Sequence, residues 1–375
     1  MDSRLEQARH WLLPFFKSSD FEITVLSDDA SFRRYFRVIH GSQHYALMDA
    51  PPEKENSQPF LALAQCWKKA GINVPIVYAA DLEEGFLLLE DFGDRTFITE
   101  APARAESLYP LALNTLIPIQ SAPIPADYAL PLFDETMCRF ELGIFREWLV
   151  EKKLGLSISR EIEQAFAEVN NLLVTNALEQ PQVVMHRDYH SRNLMLKNDN
   201  TLGIIDFQGA VIGPIAYDVA SLLRDCYIRW PEARIRQWRE HYLDQYHTQQ
   251  PEPAQRMDSA QFERWFDLIG LQRHIKAAGI FARLSLRDQK DHYLKDIPLT
   301  FHYILEVMGR YPECADMHRW LHTEFTDALG PALARDGIEL APPAPQFAGF
   351  EPSSAHPERL SEEQQPGNGE SPCAQ

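Results

Sequence analysis

Residues 183–210 read VVMHRDYHSRNLMLKNDNTLGIIDFQGA. The apolar runs VVM, LML and GII are too short for helices, and clusters of polar residues separate them. Such a stretch folds as short strands joined by loops, and it gathers His186, Asp188, His190, Asn193 and Asp206 among apolar neighbours. A core admits that many polar groups only where they are paired or put to use. Strands on either side of the loop bring Asp188, Asn193 and Asp206 to one edge.

The rest of the 375-residue chain changes character once. Leu5, Ala8, Trp11, Leu12, Phe15 and Phe16 recur at helical spacing and predict a helix over 2–17. FEITVLS, YFRVIH and HYALMDA then read as three antiparallel strands. QPFLALAQCWKKAG reads as a helix ending at Gly71, and VPIVYAADLEEGFLLLEDF as two strands with a turn at 83–85. After Phe92 helices dominate: 102–121, 133–153, 158–179, 214–226, 231–247, 259–287, 297–309 and 315–329. The expectation is an α+β chain in two lobes. Residues 1–92 form an antiparallel sheet with one main helix, and residues 93–340 form a mostly α-helical lobe that carries the loop and the substrate site. From Ala341 the composition shifts to Pro, Ser, Glu, Gln and Gly, and 341–375 is expected to be a disordered tail.

Composition narrows the classes. A formal net charge of -18 makes the chain a poor general binder of nucleic acid, whose phosphates favour basic surfaces. The five cysteines, Cys66, Cys138, Cys226, Cys314 and Cys373, are scattered without a CxxC pair, which argues against a disulfide framework or zinc site. MDSRLEQARHWLLPFF lacks the long apolar core of a secretory signal, and the longest uncharged run, 107–126, is broken by prolines. A cytoplasmic protein with no membrane, nucleic-acid or obligate protein partner is the expectation.

The opening stretch suits phosphoryl transfer. An Asp and an Asn hold a hard cation such as Mg2+, which prefers oxygen ligands. A further Asp orients a substrate hydroxyl and takes its proton. The protein-kinase catalytic loop has the pattern H-R-D-x-x-x-x-N, with D-F-G beyond it. This chain has HRDYHSRN and IDFQG, which assign Asp188 as base and Asn193 and Asp206 to the metal, with ATP as donor.

The chain resembles the aminoglycoside-phosphotransferase family of kinase-like enzymes over most of residues 20–310. The resemblance implies a protein-kinase-like fold. It implies a place for His190, two residues beyond the catalytic Asp, and for Asp218 in GPIAYDVASLLRD, which with His186 braces the loop. FLLLEDFGD becomes the last sheet strand and hinge, with Glu90, Asp91 and Phe92 at the adenine edge and Leu88 and Leu89 nearby.

The nucleotide side departs from the kinase pattern. The first loop, SDDASFRRYFR, has no glycine, and Met48 and Asp49 stand where the third strand normally carries a Lys. Either nucleotide chemistry is lost, or the positive charge has moved to Arg33, Arg34, Arg37 and Lys54, with Ser31 adding a hydroxyl. The complete Asp188, Asn193 and Asp206 set favours the second. Strand alternation puts Arg33 and Arg37 on one side and Arg34 on the other.

DASFRRYFRV, LMDAPPEKE, HRDYHSRNLM and SLLRDCYIRWP are similar to one subgroup, the bacterial cell-wall-recycling sugar kinases. That resemblance implies ATP-dependent phosphorylation of the anomeric hydroxyl of N-acetylmuramate and N-acetylglucosamine. Candidate sugar contacts are His190, Arg192, Arg224 and Asp225, with Tyr227, Trp230, His274 and Lys276 behind them. An aminoglycoside kinase and a non-catalytic kinase-like binding protein stay open on the residues alone.

Overall fold

The computed structural model describes residues 2–28, 32–250 and 257–346. Helix α1 (Ser3–Phe16) starts on Asp2, whose carboxylate accepts the Arg4 and Leu5 backbone N–H groups. Strands β1 (Glu22–Asp28), β2 (Arg34–His40) and β3 (Gln43–Asp49) form a meander. Helix α2 (Gln58–Lys69) follows, then β4 (Val77–Asp81) and β5 (Phe86–Glu90). The five strands make one antiparallel sheet in the order β1-β2-β3-β5-β4.

Alternation along these strands feeds two layers. Leu47, Phe86 and Leu88 point outward and pack with Ala8 and Leu12 of α1. Ala46, Met48, Leu87 and Leu89 point inward and pack with Phe60, Leu63 and Trp67 of α2. Both faces are therefore covered, which explains why FLLL is apolar at every position. Each such buried Leu or Phe contributes about 1.5–3 kcal/mol. Arg4 and Arg34 both bond the buried Asp49 carboxylate, and Arg34 also pairs with Asp2, which fastens α1 to the sheet.

The remainder is mostly helical. Helix α3 (Phe97–Gln120) starts five residues before the expected 102 and breaks regular geometry at Arg104. Pro102 lies just before that kink, as expected of a proline inside a helix. Helix α4 (Glu135–Ile144) runs on into a π-helical segment, Phe145–Lys153. Helix α5 (Arg160–Glu179) leads into the opening stretch, which holds β6 (Gln182–Met185), β7 (Leu194–Leu196), β8 (Leu202–Ile204) and β9 (Val211–Pro214). β6 pairs with β9, and β7 pairs with β8. Then come α6 (Ala216–Leu223), α7 (Glu232–Gln249), α8 (Ser259–Asp288), α9 (Ile297–Met308), α10 (Ala315–Trp320) and α11 (Thr326–Arg335). α10 and α11 are one run joined by a π turn, and it extends past the expected 329.

Helix α8 is buried almost all round and is the axis of the helical part. A Cβ at Gly279 would lie 2.5 Å from the Phe145 nitrogen, so α8 meets the π segment backbone to backbone. Of the expected tail, residues 341–346 lie along Arg229. The Gln346 N–H donates to the Arg229 carbonyl at 2.8 Å, and Arg229 donates to the Pro343 carbonyl at 3.1 Å. Residues 347–375 lie outside the described residues. No helix among the described residues is long and apolar enough to cross a membrane.

Candidate active site

The β6–β9 and β7–β8 pairs hold two loops against each other, and Asp188, Asn193 and Asp206 meet there. The Asn193 amide nitrogen donates to the Asp188 carbonyl at 3.0 Å and to Asp206 Oδ2 at 3.2 Å. Two acceptors around one nitrogen fix the amide orientation and leave its oxygen for a cation. Asp206 sits in the left-handed region (φ 63), as does Arg187 (φ 76). Non-glycine residues hold such angles at some cost, and only where the surroundings enforce them. Gln208 bonds Asp206 Oδ1 at 2.5 Å.

Asp218, at the start of α6, enforces the loop. Its two carboxylate oxygens accept the His186 N–H at 2.7 Å and the Arg187 N–H at 2.9 Å. Burial pushes the Asp218 carboxyl up to about 7, while these two bonds pull it down. His186 is fully buried, and burial lowers its pKa to about 4. The Asp188 N–H points at Nδ1 (3.3 Å) and the Ile205 carbonyl lies 3.1 Å from Nε2. The ring is therefore neutral with its proton on Nε2.

Behind Asp188 lies an ion cluster of which the sequence singled out only Lys276, as a candidate sugar contact, whereas the structure turns it to Glu141. Glu141 of α4 is 1% exposed and takes Arg187, Lys276 (3.1 Å) and Gln272 (3.0 Å). Lys276 also donates to the Tyr217 hydroxyl at 3.2 Å. Burial alone raises the Asp188 carboxyl. Lys276 is the largest opposing influence and, with Arg187, more than offsets that and holds it below the usual carboxylate range. Asp188 is thus ionised at neutral pH. The Arg in H-R-D was a visible signal for this cluster, but its partner Glu141 lies 46 residues away.

Between the sheet and the loop is a cleft of about 430 Å3. Tyr35, Ala46 and Leu89 line it from the sheet, Glu90 to Gly93 from the hinge, and Asn193, Met195, Ile205 and Asp206 from below. Leu89 faces the cleft, whereas Leu88 faces α1 on the opposite side of the sheet. The Glu90 N–H is spent on the Ile76 carbonyl, and its carboxylate is gripped by Lys68 of α2 and by Lys197, which follows β7. Asn73 adds bonds to the Leu202 carbonyl and Thr201, and its own carbonyl accepts the Ile204 N–H. Asp91 receives Arg37 and the Gly93 N–H. The Phe92 ring lies over β8, where a Cβ on Gly203 would come within 2.5 Å of it. Phe207 stacks on Phe60 at 4.8 Å and packs against Trp67, which docks the loop after Asp206 on α2.

The arginines separate. Arg33 is 9% exposed and pairs with Glu55 at 3.1 Å. Arg37 pairs with Asp91 and Asp94 at the hinge. Arg34 is not brought to the cleft, because even-numbered positions of β2 face α1, where Asp2 and Asp49 hold it. Lys54 lies over the Phe32 ring. Met48 occupies the inward position on β3, 3.4 Å from the Tyr35 hydroxyl, so no strand-3 cation faces the cleft. Ser31 lies outside the described residues.

On the helical side of the loop, Asp225 takes the Ser191 N–H at 2.9 Å and the Tyr227 N–H at 3.1 Å, which makes it a loop brace. Arg224 is fully buried in ion pairs with Asp267 (2.7 Å) and Glu232 (3.0 Å) and does not line the cleft. His274 bonds the Arg224 carbonyl, and Trp230 bonds the Tyr109 hydroxyl, so both are interior packing groups. Arg192 lines the cleft. His190 packs its ring edge on Tyr227.

Family chemistry implies Mg2+. Among the described residues no three His, Cys, Asp or Glu side chains gather as a metal cage. Magnesium in phosphotransferases takes one or two protein oxygens and fills the rest with phosphate and water. The Asn193 amide oxygen and the Asp206 carboxylate fit that donor set.

A five-stranded sheet over a helical body, with an H-R-D-x-x-x-x-N loop and a second Asp at the cleft floor, defines a kinase-like phosphotransferase. Residues 22–258 match the model of the phosphotransferase enzyme family, and the chain belongs to that family. It is 41% identical to the N-acetylmuramate/N-acetylglucosamine kinase of Pseudomonas putida, over 84% of this chain and 95% of that one. It is 37% identical to the protein of the same name from Neisseria meningitidis, over 84% of this chain and 93% of that one. Among solved structures, the ethanolamine kinase of Plasmodium vivax superposes with a TM-score of 0.58 at 13% identity, covering 79% of this chain and 85% of that one. That likeness is one of fold.

Proposed function

We propose that the chain is an ATP-dependent kinase that phosphorylates the anomeric hydroxyl of N-acetylmuramate and N-acetylglucosamine in the recycling of cell-wall amino sugars. The observation that carries the reading is the convergence of Asp188, Asn193 and Asp206 in a chain with 37–41% identity to kinases so named. Residues 1–92 serve as the nucleotide lobe and 93–340 as the lobe that holds the sugar.

Asp188 stays a carboxylate because Lys276 and Arg187 stand behind it. So weak a base does not strip a hydroxyl beforehand. It orients the attacking oxygen and receives its proton as the new bond to the γ-phosphorus forms and the bond from that phosphorus to the ADP oxygen breaks, ADP leaving with those electrons. An anomeric hydroxyl, more acidic than an ordinary alcohol, suits such a base. His186 and Asp218 hold the loop so that Asp188 needs no reorganisation. Asn193 and Asp206 would hold Mg2+, which would supply charge neutralisation on the phosphates. With Met48 in place of a strand-3 Lys, the sheet-side cation for the phosphates is Arg33, which is paired with Glu55 outside the cleft lining and exchanges that partner for phosphate when nucleotide enters.

The test is ADP release with N-acetylglucosamine, N-acetylmuramate and kanamycin side by side. Both sugars turn over and kanamycin does not. Asp188→Asn lowers kcat by about 10²–10⁴-fold while nucleotide binding, read by equilibrium dialysis, persists. Near-normal turnover by that variant removes Asp188 from the base role.

A further inference from the structure

Among the described residues that line the cleft, Arg192 is the only cation. Its guanidinium does not turn toward the sheet. It lies 3.5 Å over the ring of Tyr227, just beyond α6, and its Nη2 is 3.5 Å from Oδ2 of Asp296, the residue before α9. Both neighbours belong to the helical wall, opposite the strands and hinge. The same wall carries His190, whose buried Nδ1 has no hydrogen-bond partner among the described residues. The chain therefore presents a cation, an aromatic edge and an unused polar ring atom beside Asp188, on the side where an acceptor enters.

The Arg192–Asp296 pair is poorly made. A charge-assisted Arg–carboxylate bond closes at about 2.7–2.9 Å and is often two-pronged, whereas this contact is single and 3.5 Å long. Burial pushes the Asp296 carboxyl up to about 6, so its charge is itself held at a cost. A better-placed carboxylate displaces little when it takes over the guanidinium. Meanwhile Tyr227 keeps the guanidinium plane fixed, which spares an incoming ligand the cost of ordering it.

We propose that Arg192, with Asp296 as its placeholder, selects acceptors that carry a carboxylate, as the lactyl group of N-acetylmuramate does and N-acetylglucosamine does not. The inference rests on the amino-sugar reading above. Arg192 is the contact, and Asp296 is a positioning residue that holds it until a substrate carboxylate takes over.

The measurement is kcat/KM for both sugars in the same assay. Arg192→Gln lowers the muramate-to-glucosamine ratio by about ten- to hundredfold, the range for one lost bond to a charged group, and the change falls mainly in KM for muramate. Arg192→Lys recovers part of the ratio. Asp296→Asn raises it, because the internal competitor is gone. Equal losses on both sugars overturn the proposal, since they put Arg192 on the shared phosphate or in the scaffold, and so does an unchanged ratio. A fall of the ratio in Asp296→Asn overturns the placeholder role. Wild-type turnover of neither sugar overturns the amino-sugar reading and this inference with it, whereas turnover of both with an insensitive ratio sinks this inference alone.

Discussion

His274 shows how single residues set the acid limit of the fold. It is fully buried, stacks on Tyr303 at 5.0 Å and bonds the Arg224 carbonyl at 2.8 Å. Burial, with Arg273 nearby, lowers its pKa to about 3. The unfolded chain takes up a proton near pH 6.5 and the folded chain does not, so this contribution is complete above 6.5 and drains away as pH falls toward 3. Asp218 and Asp296, raised to about 7 and about 6, act in the opposite sense over pH 3.8–7, so net stability is a poor readout. The difference between wild type and His274→Gln isolates the effect. The stability gap from denaturant titration narrows by about 2 kcal/mol between pH 7 and pH 5, and a constant gap contradicts the assignment. At this scale the sequence exposed residue types better than partners. HRDYHSRN named the loop, and strand alternation already separated Arg34 from Arg33 and Arg37. The partners of Arg192 and Arg187 lie 104 and 46 residues away, beyond the reach of any local pattern.

At the scale of elements, all five sheet strands and the long helices were legible, because each follows from a period of two or of 3.6. The π segment at Phe145–Lys153 was not. It coincides with a long-range contact, the backbone approach of α8 at Gly279 to the start of the segment at Phe145. Gly279→Ala drives a methyl into the Phe145 backbone and is expected to cost about 1–3 kcal/mol as overpacking, read as a lower denaturant midpoint. Ala278→Gly, one position away and facing other neighbours, serves as the control. Helix propensity alone predicts opposite signs, a gain of about 1 kcal/mol for Gly279→Ala and a loss for Ala278→Gly, so a Gly279→Ala variant that gains stability sinks the close-approach account.

Over the whole molecule, one apolar cluster runs from Met48 and Trp67 through Phe207 and into α8 and α9. The sheet therefore lacks a separate core on its cleft side, and heat is expected to unfold the chain in a single transition. Far-ultraviolet circular dichroism and tryptophan fluorescence then give coincident midpoints, and two resolved steps rule it out. The change from strands to helices near residue 92 was plain in the sequence, but this shared core was not, since it depends on Phe207 reaching Phe60 and Trp67. The ties among Glu90, Lys68, Lys197 and Asn73 carry a mechanical consequence. They pin the β7–β8 hairpin to the sheet along the edge where the chain itself crosses. Any opening of the cleft is thereby expected to turn about that edge rather than slide along it. A rotation of that kind would leave Asp206, two residues past the pinned hairpin, nearly in place.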